Sequence, residues 1–144
     1  MERLFSVEGA NGLIPVLRQA FAQISVETKE LRMHVEALQS DGYQVLSEKA
    51  LGDETDPAVQ KRYQRCLSLN RSINERLEEL LEMGVEVKGT DGLVDLRSRY
   101  RGRTVYLCWK VGEEAFTHWH DIEAGFAGRQ PITDPESFKG SLLN

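Results

Sequence analysis

Apolar residues at alternating three- and four-residue steps run from Val7 to Leu38: Val7, Ala10, Ile14, Leu17, Phe21, Ile24, Leu31, Val35 and Leu38, with Thr28 as the polar member. A 3.5-residue repeat of that length requires helices packed side by side at a shallow angle. A second series, Val59, Tyr63, Cys66, Asn70, Ile73, Leu77 and Leu80, repeats the spacing with Asn70 as its polar member. The pattern predicts a long antiparallel helical hairpin over 6–83. If Leu38 lies beside Val59, paired numbers sum to about 97, which sets Thr28 beside Leu69 and Asn70 and makes them a register-fixing polar pair. Ser6 is placed to cap the first helix, while Gly9, Gly12 and Pro15 predict a kink near Asn11–Pro15 or a short helix followed by a long one. Asp56–Pro57 restarts the helix with a capping carboxylate and a proline at the first helical position, and Gly84 ends it. Residues 39–56, with two glycines and five acidic residues, read as a loop with one helical turn at 45–50.

After Gly84 the period changes to that of strands. Val85–Lys88 and Leu93–Leu96 flank the turn-rich GTDG, RSRYRGR reads as the next turn, and Thr104–Lys110 is a β-branched and aromatic run apolar on both faces. It is the expected central strand, with Ala115–His120 as a fourth. The fold class is α+β, a long antiparallel helical hairpin followed by a small antiparallel β-meander of three to four strands. The expected organisation is one domain over 1–144: hairpin 6–83 with its loop 39–56, meander and C-terminal motif 84–132, and a loose polar tail 133–144.

Composition narrows the function. A net charge of −5, with 28% charged and 40% apolar residues, argues against nucleic acid or an anionic membrane as the main partner. The alternating Arg97, Arg99, Arg101 and Arg103 read as a solvated turn. Cys66 and Cys108 are too few for a disulfide framework and are expected as buried, reduced thiols of a cytoplasmic protein, and neither a signal peptide nor a membrane span is visible.

Chemistry concentrates in HWHDIEAGFAGRQP (118–131). His118 and His120 share one face of a strand, and with Asp121 or Glu123 they make a candidate set for zinc, iron or manganese. Gly125, Gly128 and Arg129 form either an anion-holding turn or a tight turn whose arginine pairs with Asp95 or Asp121. No Walker loop, dinucleotide fingerprint or nucleophile elbow is present. Leu13, Ala20, Leu67 and Leu81 widen the helical seams, enough to cover the sheet or to drive a homodimer through the hairpin.

The strings FSVEGANGLIP (5–15), GVEVK (84–88), GLVDL (92–96), VYLCWKVGE (105–113) and WHDIEAGFAGRQPI (119–132) resemble a prokaryotic family known as domain of unknown function 2203. Trp119, His120, Gly125, Phe126, Gly128, Arg129, Gln130, Pro131 and Asp95 match its motifs, whereas Gly9 stands where the family often has an acidic residue. The resemblance brings no activity. The reading is a small binding or assembly module, with an unknown protein or small-molecule partner. Its functional surface lies at 118–131 and its contacts are Trp119, His120, Gly125, Phe126, Gly128, Arg129, Gln130 and Asp95. The alternative is a metal-binding protein or metal-dependent enzyme using His118, His120, Asp121 and Glu123.

Overall fold

The computed structural model describes residues 3–43 and 56–141. The helical turn expected at 45–50 lies outside the described residues. Contacts divide the chain into two compact units, Met1–Phe21 with Glu78–Asn144, and Ala22–Leu77. Among the described residues the element order is three α-helices, α1 (Val7–Gly12), α2 (Ile14–Ser40) and α3 (Pro57–Glu82), followed by six strands. No helix among the described residues is long and apolar enough to cross a membrane.

The helix punctuation follows the residues. Ser6 accepts a hydrogen bond from the Gly9 amide at 2.9 Å, and the chain breaks at Leu13 so that Pro15 falls in the first turn of a new helix, where its missing donor costs nothing. Asp56 accepts from the Ala58 amide at 2.9 Å. Gly84 turns the chain out of α3 at φ +91°, a left-handed angle that favours glycine.

In the unit 22–77, α2 and α3 run antiparallel around Leu38, Tyr63 and Cys66, with Leu31, Val35, Val59 and Leu67 packed against them. The polar members of the seam differ from expectation. Asn70 is exposed and Leu69 buried in its stead, and Glu27 rather than Thr28 is the buried polar residue of α2. Steps of 24–27–31 and 24–28–31 fit the same repeat. Glu27 takes the seam because Arg76 on α3 reaches it at 2.7 Å. Burial opposes its ionisation, but hydrogen bonds from Ser72 and Arg76 outweigh that and hold the carboxyl below its ordinary range. A turn away, Arg65 grips Glu30 with two hydrogen bonds of 2.6 and 2.9 Å.

The other unit is built on an antiparallel sheet in the order β1 (Val85–Gly89), β2 (Leu93–Tyr100), β3 (Arg103–Lys110), β4 (His118–Asp121), β5 (Gln130–Pro131), with β6 (Phe138–Lys139) paired to the far end of β2. β3 is central, as its two apolar faces required. Two expectations are corrected. RSRYRGR is mostly strand: Ser98 and Tyr100 face inward between outward arginines, and only Arg101 and Gly102, at φ +51° and +80°, form the two-residue turn. The tail is held as far as Ser141, since Phe138 is buried against Tyr100, with ring centroids 4.2 Å apart, and Ser141 exchanges hydrogen bonds with Leu4; its last three residues lie outside the described ones.

The two faces of the sheet differ. Val85, Val94, Leu96, Tyr100, Leu107, Trp109 and Trp119 share the apolar face by register. The buried side chains of Phe5, Ala10, Ile14 and Leu17 belong to the same unit. The opposite face carries polar and ionisable residues.

Candidate functional site

On that second face, three neighbouring strands bring together three ionisable side chains. The two-residue turn at 101–102 sets Asp95 directly opposite Cys108, and the β3–β4 register sets His120 one step along, opposite Tyr106. Asp95, Cys108 and His120 are only 4%, 1% and 1% exposed. Their ligating atoms all lie within 4.8 Å of one another.

The hydrogen bonding of His120 constrains its protons. Nδ1 lies 2.7 Å from the Asp121 carbonyl, which can only accept, so Nδ1 carries a hydrogen. Nε2 lies 3.1 Å from Asp95 Oδ1. A hydrogen bond there requires one further proton shared by the pair, which then carries no net charge. Burial, reinforced by the negative charge of Asp95 and a hydrogen bond to it, pushes the Cys108 thiol up to about 12. Asp95 is thus hydrogen-bonded to both His120 and Cys108.

The three residues form the floor of a pocket of about 220 Å³. Lys88, Leu93 and Tyr106 also line it, and Ile122, Gly125 and Phe126 come from the segment after β4. Beside it, Glu86 accepts from Tyr106 Oη at 2.8 Å, Arg97 Nε at 2.9 Å and Lys88 Nζ at 3.3 Å. Burial disfavours the Glu86 carboxylate, yet these three donors together hold its carboxyl below the ordinary range.

The segment 121–129 is shaped by its glycines. Gly125 sits at φ +66°, a backbone angle at which a side chain would be strained although the space beside it is open, and a Cβ on Gly128 would lie 2.6 Å from that of Ala124 and force a shift. The Asp121 carbonyl that orients His120 also accepts from the Ala124 amide at 3.0 Å, joining the imidazole to the segment's first turn. Arg129 closes the segment. Its Nη2 donates to both Glu113 carboxylate oxygens at 2.7 and 3.0 Å and to the Cys108 carbonyl at 3.4 Å, and its guanidinium lies 4.7 Å from the Phe126 ring centroid.

Of the residues singled out by sequence, Asp95, His120, Gly125 and Phe126 come together at this pocket. Trp119 faces the apolar core beside Tyr100 and Phe138. Gln130 is exposed on β5. His118 shares a face of β4 with His120, but its Nδ1 lies 2.9 Å from Thr117 Oγ1 and it is not in the cluster. The Asp121 carboxylate pairs with Arg103 at 3.0 Å, and Glu123 is exposed. The four residues expected as metal ligands are therefore dispersed, because strand alternation turns the Asp121 side chain to the other face. Arg129 pairs with Glu113 rather than with Asp95 or Asp121. Sequence reasoning missed Lys88, Leu93, Tyr106 and Ile122, and read Cys108 only as a buried thiol. For Cys108 a signal existed: a turn at 101–102 pairs residues whose numbers sum to 203, and 95 + 108 = 203.

Fold and site together define an α+β protein with helices ahead of an antiparallel sheet and a carboxylate, a thiol and an imidazole buried under one pocket. The chain belongs to the family described as uncharacterized conserved protein (DUF2203), whose model matches residues 3–132. No curated protein and no solved structure matches it significantly.

Proposed function

We propose that the protein is a binding module for a small anionic molecule with an apolar body, seated over Asp95, Cys108 and His120. The observation that carries this reading is the charge gathered around the pocket. Lys88 lines it, Arg97 reaches the lining Tyr106, and Lys110 and Arg129 lie over the lining Phe126, against Glu86, Glu113 and the exposed Glu123, while the Asp95–His120 pair is neutral overall. Four cations less three anions leave an excess of one positive charge in a chain whose net charge is −5. Such a concave, locally positive site concentrates anions. Leu93 lines the pocket, and Ile122 and Phe126, 40% and 45% exposed, offer it apolar surface that no core uses. The volume lies below the roughly 300–1,000 Å³ of drug-sized sites, which fits a small metabolite better than a peptide or a dinucleotide.

Benzoate is a suitable probe, with benzamide as its uncharged counterpart. In a ¹⁵N-resolved NMR titration, benzoate is expected to shift the amides of Leu93, Tyr106 and Phe126. Lys88→Met should weaken that binding several-fold, and benzamide should bind at least tenfold more weakly. Equal binding of the two probes, or no shift with either, would overturn the reading.

A further inference from the structure

The floor of the pocket has a chemistry of its own, independent of which organic molecule fills the space above it. We propose that Asp95, Cys108 and His120 bind one transition-metal dication, of the class of zinc or iron(II), with an open coordination position toward the pocket. Three observations support this.

First, β2, β3 and β4 each supply one donor, and the carboxylate oxygen, thiol sulfur and imidazole nitrogen converge within 4.8 Å under the pocket, each residue at most 4% exposed. Buried ionisable groups without a role are costly, and three at one point on adjacent strands are a concentration that packing does not require.

Second, the imidazole is oriented as a ligand. Its Nδ1–H is committed to the Asp121 carbonyl at 2.7 Å, which leaves Nε2 as the coordinating atom on the side of Asp95 and Cys108. A backbone carbonyl holding the remote nitrogen is the usual outer support of a metal-bound histidine.

Third, the charges balance. Without metal, the floor holds the Asp95–His120 pair with its shared proton and the Cys108 thiol with its own. A dication entering as thiolate, carboxylate and neutral imidazole displaces those two protons, so two positive charges leave and two arrive. The buried site stays at the same net charge, and the large penalty for adding charge to a low-dielectric interior is avoided.

The donor set also selects the metal. One sulfur, one nitrogen and one oxygen suit zinc, iron(II), cobalt(II) or nickel(II), whereas the thiolate disfavours magnesium, calcium and manganese. Three protein ligands with a fourth position facing a pocket match the open type of site rather than the closed structural type. An anionic group of a bound molecule would then complete the coordination shell.

Cobalt(II) gives the direct test, because its thiolate complexes absorb strongly in the near ultraviolet and its low-coordinate complexes in the visible. Protein stripped with chelator and titrated with cobalt(II) chloride is expected to develop a sulfur-to-cobalt charge-transfer band that saturates at one equivalent and is displaced by zinc. Cys108→Ser, which conserves volume, should abolish that band. Cys66→Ser should leave it intact, and His120→Ala should weaken cobalt binding at least tenfold, with folding of each variant checked by circular dichroism. No charge-transfer band in the wild type, or a band that persists in Cys108→Ser, would overturn the assignment. The benzoate titration on stripped protein is read separately, so either proposal can fail without the other.

Discussion

Replacing His120 by leucine in the metal-free protein removes one half of a pair whose side chains are only 2% and 6% exposed. Solvent screening is then small, and the relevant regime is the buried one. Breaking such a pair by deleting one partner costs about 3–5 kcal/mol, against about 0.2–1 kcal/mol for an exposed pair. At ~2–4 °C per kcal/mol for a chain of this size, the melting temperature should fall by about 6–20 °C. Asp95→Leu alone should cost a similar amount, because it leaves His120 Nε2 and the Cys108 thiol without their acceptor. If the two costs added, His120→Leu with Asp95→Leu would lose about 6–10 kcal/mol, comparable with the whole stability of a typical domain. The double variant is expected instead to be more stable than either single one, since two apolar side chains leave no orphaned group. Urea unfolding followed by tryptophan fluorescence reads the correct unit, because Trp109 and Trp119 are next in sequence to Cys108 and His120 on β3 and β4 of that unit. A single-variant cost below about 1 kcal/mol, or a double variant that pays the full sum, would refute the reasoning.

Other outcomes follow from the same structure. Burial pushes up the Cys66 thiol and drives that of Cys108 to about 12, so in the folded, metal-free protein neither thiol should react with Ellman's reagent at neutral pH, whereas both should react in urea; rapid labelling of Cys108 without unfolding would contradict its placement. The hydrogen bond from Arg65, only partly opposed by burial, lowers the Glu30 carboxyl from 4.5 to about 2. Its stabilisation is therefore complete above pH 4.5 and lost as pH falls through about 2. Thermal melts in that window should show a steeper loss for the wild type than for Glu30→Gln, and equal slopes would contradict the assignment. Phe138→Ala should cost about 3–5 kcal/mol in urea unfolding, because the ring is buried and stacked on Tyr100; a negligible cost would mean that the C-terminal strand contributes nothing.

The helices were legible because their signals are local. Ser6, Pro15, Asp56–Pro57 and Gly84 act on backbone groups within a turn of themselves, and each end falls where those residues put it. The seam was legible only to within one residue at its polar positions, since Glu27 against Thr28 is decided by Arg76, forty-nine positions away. In the sheet, alternating arginines concealed a strand whose inward residues, Ser98 and Tyr100, are themselves partly polar. The two-residue strand Phe138–Lys139 exists because of its pairing with Arg99–Tyr100, which no short window can reveal. At the site, motif residues pointed to Asp95, His120, Gly125 and Phe126. The side chains of the ligand set drawn from 118–123 are dispersed because proximity in sequence along a strand puts alternate side chains on opposite faces. Cys108 has the burial and raised thiol value of an ordinary core cysteine, and only cross-strand register gives it Asp95 and His120 as neighbours.

The claim that His120 is held with Nε2 directed at Asp95 and Cys108 underlies both the pocket and the metal assignment. Imidazole ¹⁵N NMR of the uniformly labelled, chelator-treated protein tests it most directly. The account predicts a slowly exchanging proton on His120 Nδ1 that is retained when zinc is added, while the Nε2 resonance moves to a metal-bound position. That Nε2 shift should be absent in Cys108→Ser. A bare Nδ1 in the metal-free protein, or zinc binding through Nδ1, would contradict it.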